Sequence, residues 1–211
     1  MHIAAFLLSS LIAINSVSSI SVNDNNLLLP VSSFSHFCNN GYASLQTKLD
    51  TLKSIRSTPN SHSTSTPEQQ YELTRRRIEE EGRIERALKT WPLGQHGLET
   101  KSTYESAVKK FKAIALLAPT MKESHCKLGL AYFVNGDYFN AKHSILKGLE
   151  IDSGDIDLNI LMGQILLLEH SNVKSCSHFD KVLKLEGTDN INNNMPIEAH
   201  LGKAVCSANS S

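Results

Sequence analysis

The chain has 211 residues, and its 21 Lys plus Arg balance its 21 Asp plus Glu, so the formal charge is zero. That length suits one domain with tails. The balance excludes the basic excess by which nucleic-acid binders grip phosphate. An apolar content of 40% with 6% aromatics suits polar-tailed helical architecture better than a large globular core.

The charge is unevenly spread. No Lys or Arg precedes Lys48, and Asp24 is the only acid before it. Residues Ile3 to Ile14 are apolar except for Ser9 and Ser10, and small residues Ser16 to Ser19 follow. This pattern predicts a secretory signal peptide over 1–19. The apolar run is too short for a bilayer core of ~30 Å, so no stable membrane span is expected after cleavage. The n-region offers only the terminal amine and His2 as positive charge. A buried N-terminal helix and a plastid or other organelle transit peptide are the alternatives. A mitochondrial address needs Arg, and the first Arg is Arg56.

Residues 20–66 are expected to form a linker with one amphipathic helix, at about 42–56. There Tyr42, Leu45, Leu49, Leu52 and Ile55 recur at helical spacing. A Ser/Thr/Pro connector ends at Thr66, where Pro67 and Gln69 supply a first-turn proline and a capping box. Residues 67–101 then read as a charged helix and an irregular connector. The helix is laced with opposite charges four apart, such as Arg75–Glu79 and Arg76–Glu80, each pair worth about 0.2–0.5 kcal/mol. Tyr71, Ile78, Ile84, Leu88 and Trp91 are read as its apolar stripe. Pro92, Gly94 and Gly97 are expected to break it.

The four cysteines, Cys38, Cys126, Cys176 and Cys206, allow three disulfide pairings, and the sequence does not choose among them. Buried, unpaired thiols are an equal reading. No C-x-x-C occurs, so no metal site is expected. The N-x-S/T acceptor is Asn209-Ser210-Ser211.

From Ser102 onward the sequence repeats itself every 34 residues. Ala107, Ala141 and Ser175 are small; Phe111, Ile145 and Phe179 are large and apolar; Pro119, Ser153 and Gly187 stop helices. Leu117, Ile151 and Leu185 share a register, as do Leu128-Gly129 and Met162-Gly163. The clearest copy, Lys122 to Asp155, shows Leu128-Gly129, Tyr132, the turn Asn135-Gly136-Asp137, then Tyr138, Ala141, Ile145 and Gly148. In these residues the chain resembles the tetratricopeptide-repeat (TPR) family. It departs from the family pattern at His125, Ile145 and Ser153. The resemblance implies an all-α fold, a right-handed superhelix of helix hairpins, over 102–211, with the N-terminal signal segment and helical extension ahead of it. The units would be a half repeat at 102–121, copies at 122–155 and 156–189, and a partial one at 195–207. Gly129 and Ala141 should meet across a hairpin, and Phe111, Ile145 and Phe179 should fill the space between hairpins.

The resemblance also implies a partner-binding inner stripe: Glu123, Cys126, Leu130 and Phe133, then Asp157, Ile160, Gln164 and Leu167. Some members of the family hold acidic chaperone tails with Lys, Arg and Asn. This stripe lacks them, so an apolar or amphipathic peptide is expected. Coverage of the stripe by the helix at 42–56 is the bland alternative. Catalytic arrangements are missing from the sequence. His125, His143, His170, His178 and His200 are scattered, Cys176 and His178 point in different directions on a helix, and no phosphate loop occurs. Asp152, Asp155 and Asp157 lack the order of a calcium loop and suit helix capping. The chain is therefore expected to be a protein-protein interaction scaffold or adaptor, not an enzyme, with no cofactor, no metal and no nucleic-acid partner. It would bind a protein or peptide in the secretory lumen or outside the cell. A structural or assembly subunit of a larger complex, or a truncated regulatory fragment of a longer protein, is the alternative.

Overall fold

A computed structural model describes residues 22–23, 26–27, 36–57, 66–186 and 197–209. The expected signal segment at 1–19 and the insert at 190–194 lie outside these residues. The described residues form eight α-helices, a 3-10 turn and a small antiparallel pairing of β1 (Val22–Asn23) with β2 (Asn26–Leu27). The helices are α1 (Gly41–Ser57), α2 (Pro67–Gly97), α3 (Tyr104–Leu117), α4 (Lys122–Val134), α5 (Tyr138–Ile151), α6 (Ile156–Leu168), α7 (Asn172–Glu186) and α8 (Ile197–Ala208). The described residues divide into two units, one lying within 36–162 and the other holding β1, β2 and the described residues from Gly163 onward.

In the first unit each helix through α5 packs on its predecessor. Helix α2 starts as its sequence dictates. The Thr66 hydroxyl accepts the Gln69 N–H at 3.3 Å, and the Gln69 side chain accepts the Thr66 N–H at 3.0 Å. The helix does not stop at Pro92 but runs to Gly97. The expected breakers are packing sites. A β-carbon on Gly94 would lie 2.9 Å from the Phe111 ring, and one on Gly97 would lie 2.9 Å from the Ala107 nitrogen. Close approach of α3 requires both glycines.

The stripe assigned to α2 divides in two. Ile84, Leu88 and Trp91 are buried against α1 and α3, while Tyr71 and Ile78 are 71% and 52% exposed. Thirteen residues separate Tyr71 from Ile84, which at 100° per residue puts them on different sides of the helix. The ion pairs also regroup. Arg75–Glu79 closes at 2.7 Å, but Arg76 reaches back to Glu72. Glu80 and Glu85 bind Lys48 and Lys53 of α1. On α1, Leu45 and Leu49 are buried, while Tyr42 and Ile55 are 44% and 40% exposed. The core centres on Leu45, Ile84, Leu88, Trp91, Phe111 and Ile114, and Trp91 meets Phe111 edge-on at 5.5 Å.

Between α4 and α5 the expected contact is present. A β-carbon on Gly129 would lie 2.6 Å from Ile145 and 3.5 Å from the Ala141 carbonyl. Gly136, with φ of 82°, makes the turn that joins them, and Asp137 caps α5 by accepting the Asn140 N–H. Gly148 gives α6 its seat, because Leu158 fills the space a side chain would need.

In the second unit Phe179 is fully buried. It lies against Gly163 of α6 and Gly202 of α8. The Ser175 hydroxyl donates to the Gly163 carbonyl at 2.8 Å, which ties α7 to α6. A disulfide between Cys176 and Cys206 and an ion pair of Lys203 with Asp180 at 2.7 Å join α7 to α8.

Candidate functional site

Glu123, Cys126, Leu130 and Phe133 recur at steps of three and four along α4, and Asp157, Ile160, Gln164 and Leu167 do so along α6. None of the eight lies in the open. Cys126, Leu130 and Phe133 are 2%, 2% and 7% exposed, and Ile160, Gln164 and Leu167 are 0%, 1% and 1%. Glu123 and Asp157 are half-buried. The Oε1 atom of Gln164 is buried without a hydrogen-bond partner.

The first turn of α1 closes only part of the start of this stripe. A five-residue strap, His36 to Asn40, leads into α1 and covers it. Cys38 is disulfide-bonded to Cys126, with their Cα atoms 6.1 Å apart. The Cys38 N–H donates to the Asp157 carboxylate at 2.7 Å. Cys38 has a φ of 58°, a left-handed backbone that a non-glycine residue adopts only when its surroundings hold it there. Phe37 is buried beside it. One residue past the strap, Gly41 lies against Trp91 and Glu123, and the Ser44 hydroxyl donates to Glu123 at 3.2 Å. Small residues are needed here because the chain passes directly over α4.

Under the strap lies Lys127, which sequence reasoning left off this face. Its side chain is fully buried, and its Nζ donates to the Asn39 side-chain oxygen at 2.9 Å. Burial pulls the ammonium down to about 8, and the nearby Asp157 charge draws it part of the way back. Burial also lifts the Asp157 carboxyl above the usual range, and the Cys38 N–H opposes that rise. Lys122 is the contrasting case. Burial works against its charge, but Asp152 and Asp155 at 2.7 and 2.8 Å hold it above the ordinary lysine value. His36, Asn39, Asn40, Glu123 and Asp155 line a small polar hollow at the strap's edge.

The remaining candidates have structural posts. The His125 Nε2–H donates to the Pro119 carbonyl at 2.8 Å, which anchors the entry to α4. Asp152 accepts the Gly154 N–H and Asp155 the Leu158 N–H, which caps the turn into α6. Cys176 is committed to its disulfide. Among the described residues no cluster of three or more His, Cys, Asp or Glu could hold a metal ion, and no helix is long and apolar enough to cross a membrane. Sequence reasoning missed the strap, the pairing of the cysteines and Lys127. The even cysteine count was the one signal for the first two.

The geometry has a counterpart among solved structures. The TPR2AB domain of yeast Sti1, solved as a complex with pHSP90, matches with a TM-score of 0.52 at 16% identity, over 86% of this chain and 70% of that one. The fold is tetratricopeptide-like. At this identity the likeness concerns backbone architecture alone. No protein-family model matches the sequence, and no curated protein matches it. The tetratricopeptide-like positions that depart from the family pattern, His125, Ile145 and Ser153, are each accommodated in the structure. His125 and Ile145 are buried, and the Ser153 carbonyl accepts from Asn159 at 3.0 Å.

Proposed function

We propose that this chain is a non-enzymatic protein-interaction scaffold that works in an oxidising compartment and holds a protein or peptide at the start of the first-helix face of α4, beside the strap. The observation that carries the reading is the strap. A chain segment already lies across the start of that face, held by a disulfide, an amide–carboxylate bond and an Asn–Lys bond. A surface that binds one extended segment has the chemistry to bind another. The apolar residues beyond it, Leu130, Phe133 and Ile160, are buried, so the ground open to a partner is the polar hollow lined by His36, Asn39, Asn40, Glu123 and Asp155. The TPR2AB domain that shares the fold was solved with a protein partner, which supports a protein ligand in general. Cysteine usage supports the compartment. All four cysteines are paired, and disulfides persist in the secretory lumen or outside the cell, not in reducing cytosol.

The test is to identify a partner by cross-linking in the cells that make the protein, then rebuild the complex from purified components. Replacing the half-buried Glu123 by Lys should weaken the rebuilt complex by about tenfold or more, roughly 1.4 kcal/mol, while helicity is retained. An unchanged dissociation constant in a folded variant contradicts this site. A second reading, an assembly subunit joined through its outer helices, is favoured by Leu116 and Phe139, which are 74% and 82% exposed.

A further inference from the structure

The outward face of α2 is self-complementary. Ile84, Leu88 and Trp91 mark the side buried against α1 and α3. At 100° per residue, Tyr71, Ile78, Gly82, Arg86 and Leu93 fall on the opposite half of the helix. Tyr71, Ile78 and Leu93 are 71%, 52% and 56% exposed. Gly82 leaves a shallow hollow between Ile78, Glu79, Arg83 and Arg86. A β-carbon there would meet only the Arg86 guanidinium, at 3.7 Å, so no neighbour of its own chain requires glycine at this position.

The spacing about Gly82 is symmetric. Tyr71 stands eleven residues before it and Leu93 eleven after, three turns each way. We propose that a second copy of this chain docks antiparallel on this face, with Gly82 on the twofold axis. The two backbones approach at the glycines. Tyr71 of each copy then packs on Leu93 of the other, at both ends of a stripe about 33 Å long. Near the centre, Glu79 of each copy lies between Arg83 and Arg86 of the other, and Ile78 lies under the stem of Arg86. Like charges meet where Arg75 faces Lys89, twice by symmetry, and where the two copies of Arg83 flank the axis. Glu72 and Glu79 temper the first, since they hold the Arg75 guanidinium at 2.9 and 2.7 Å. A second copy suits this face better than an unrelated helix, because the apolar ends Tyr71 and Leu93 meet at mirrored positions and Glu79 of each copy finds two arginines of the other. A single helix pair is a small interface, so the dimer should be concentration-dependent.

Sedimentation equilibrium of the full chain over a wide concentration range is the first test. Mass should climb from 23.3 kDa toward twice that value, and added salt should shift the midpoint to higher concentration by weakening the central charges. Register is tested by cysteines, since every native one is already paired. Gly82→Cys should oxidise to a covalent dimer about tenfold or more faster than Lys89→Cys, whose two copies would stand about 20 Å apart. Mixing Lys89→Cys with Arg75→Cys should restore the cross-link. A chain that stays monomeric at every concentration overturns the proposal. So does a dimer in which Gly82→Cys and Lys89→Cys cross-link equally, or one that survives Tyr71→Ser with Leu93→Ser unchanged. None of these outcomes depends on the first-helix face, so the failure of one reading leaves the other standing.

Discussion

A lysine with no exposed surface is costly unless its ammonium is well satisfied. Lys127 has one neutral oxygen, from Asn39, and the attraction of Asp157. The sign of its effect on stability follows from its lowered pKa. Between about 8 and the usual 10.5 the unfolded chain binds more protons than the folded one, so stability rises with pH across that window. A shift of this size corresponds to about 3 kcal/mol. Below pH 8 both states are protonated and the contribution is flat. Denaturant titrations from pH 7 to 10 should show this rise in the wild type, and Lys127→Met should remove it. An equal rise in both proteins would place the titrating group elsewhere. Lys122 does not interfere, because its pKa is raised and its effect falls above the same window. Nothing in the sequence marked Lys127 out. A lysine between Cys126 and Leu128 on an amphipathic helix reads as solvated, and only the strap's return over α4 buries it.

Among the elements, α2 shows where pattern reasoning succeeded and where it failed. Its start was legible, since Thr66, Pro67 and Gln69 encode a cap in local chemistry alone. Its end was not. Pro92, Gly94 and Gly97 carry poor helix propensity, yet tertiary contact decides the outcome, because Phe111 and Ala107 need those glycines as seats. One signal was available. Gly94 precedes Phe111 by seventeen residues, and Gly129 precedes Ile145 by sixteen, as Gly163 does Phe179. A one-residue longer connection hides the match from a strict period of 34. Pro92 itself supplies no amide proton to the helix and is exposed. Pro92→Ala should therefore stabilise the protein by about 1–3 kcal/mol in chemical denaturation, because it restores an amide donor and removes a ring clash. A loss of stability would show that the helix is bent at this point for a packing reason.

For the whole molecule, the period of 34 residues was sufficient to predict paired helices, because glycine against a large side chain recurs where the two helices of each hairpin meet. The candidate site was less legible. The stripe residues were identifiable by spacing, but their cover was not, since a contact between Cys38 and Cys126 spans 88 residues and leaves no local trace. The two disulfides divide the work. Cys38–Cys126 latches the strap, and Cys176–Cys206, with a separation of 30, clips α7 to α8. A loop-entropy model ranks their loss at about 5 and about 4 kcal/mol. Both bonds must therefore exist in the protein as its own cells make it. Non-reducing peptide mapping by mass spectrometry, on protein captured from those cells with thiols blocked at lysis, measures this directly. The predicted result is two linked peptides, Cys38 with Cys126 and Cys176 with Cys206, and no blocked thiol. Free cysteines, or any other pairing, would contradict the strap, and free cysteines would also contradict the oxidising compartment.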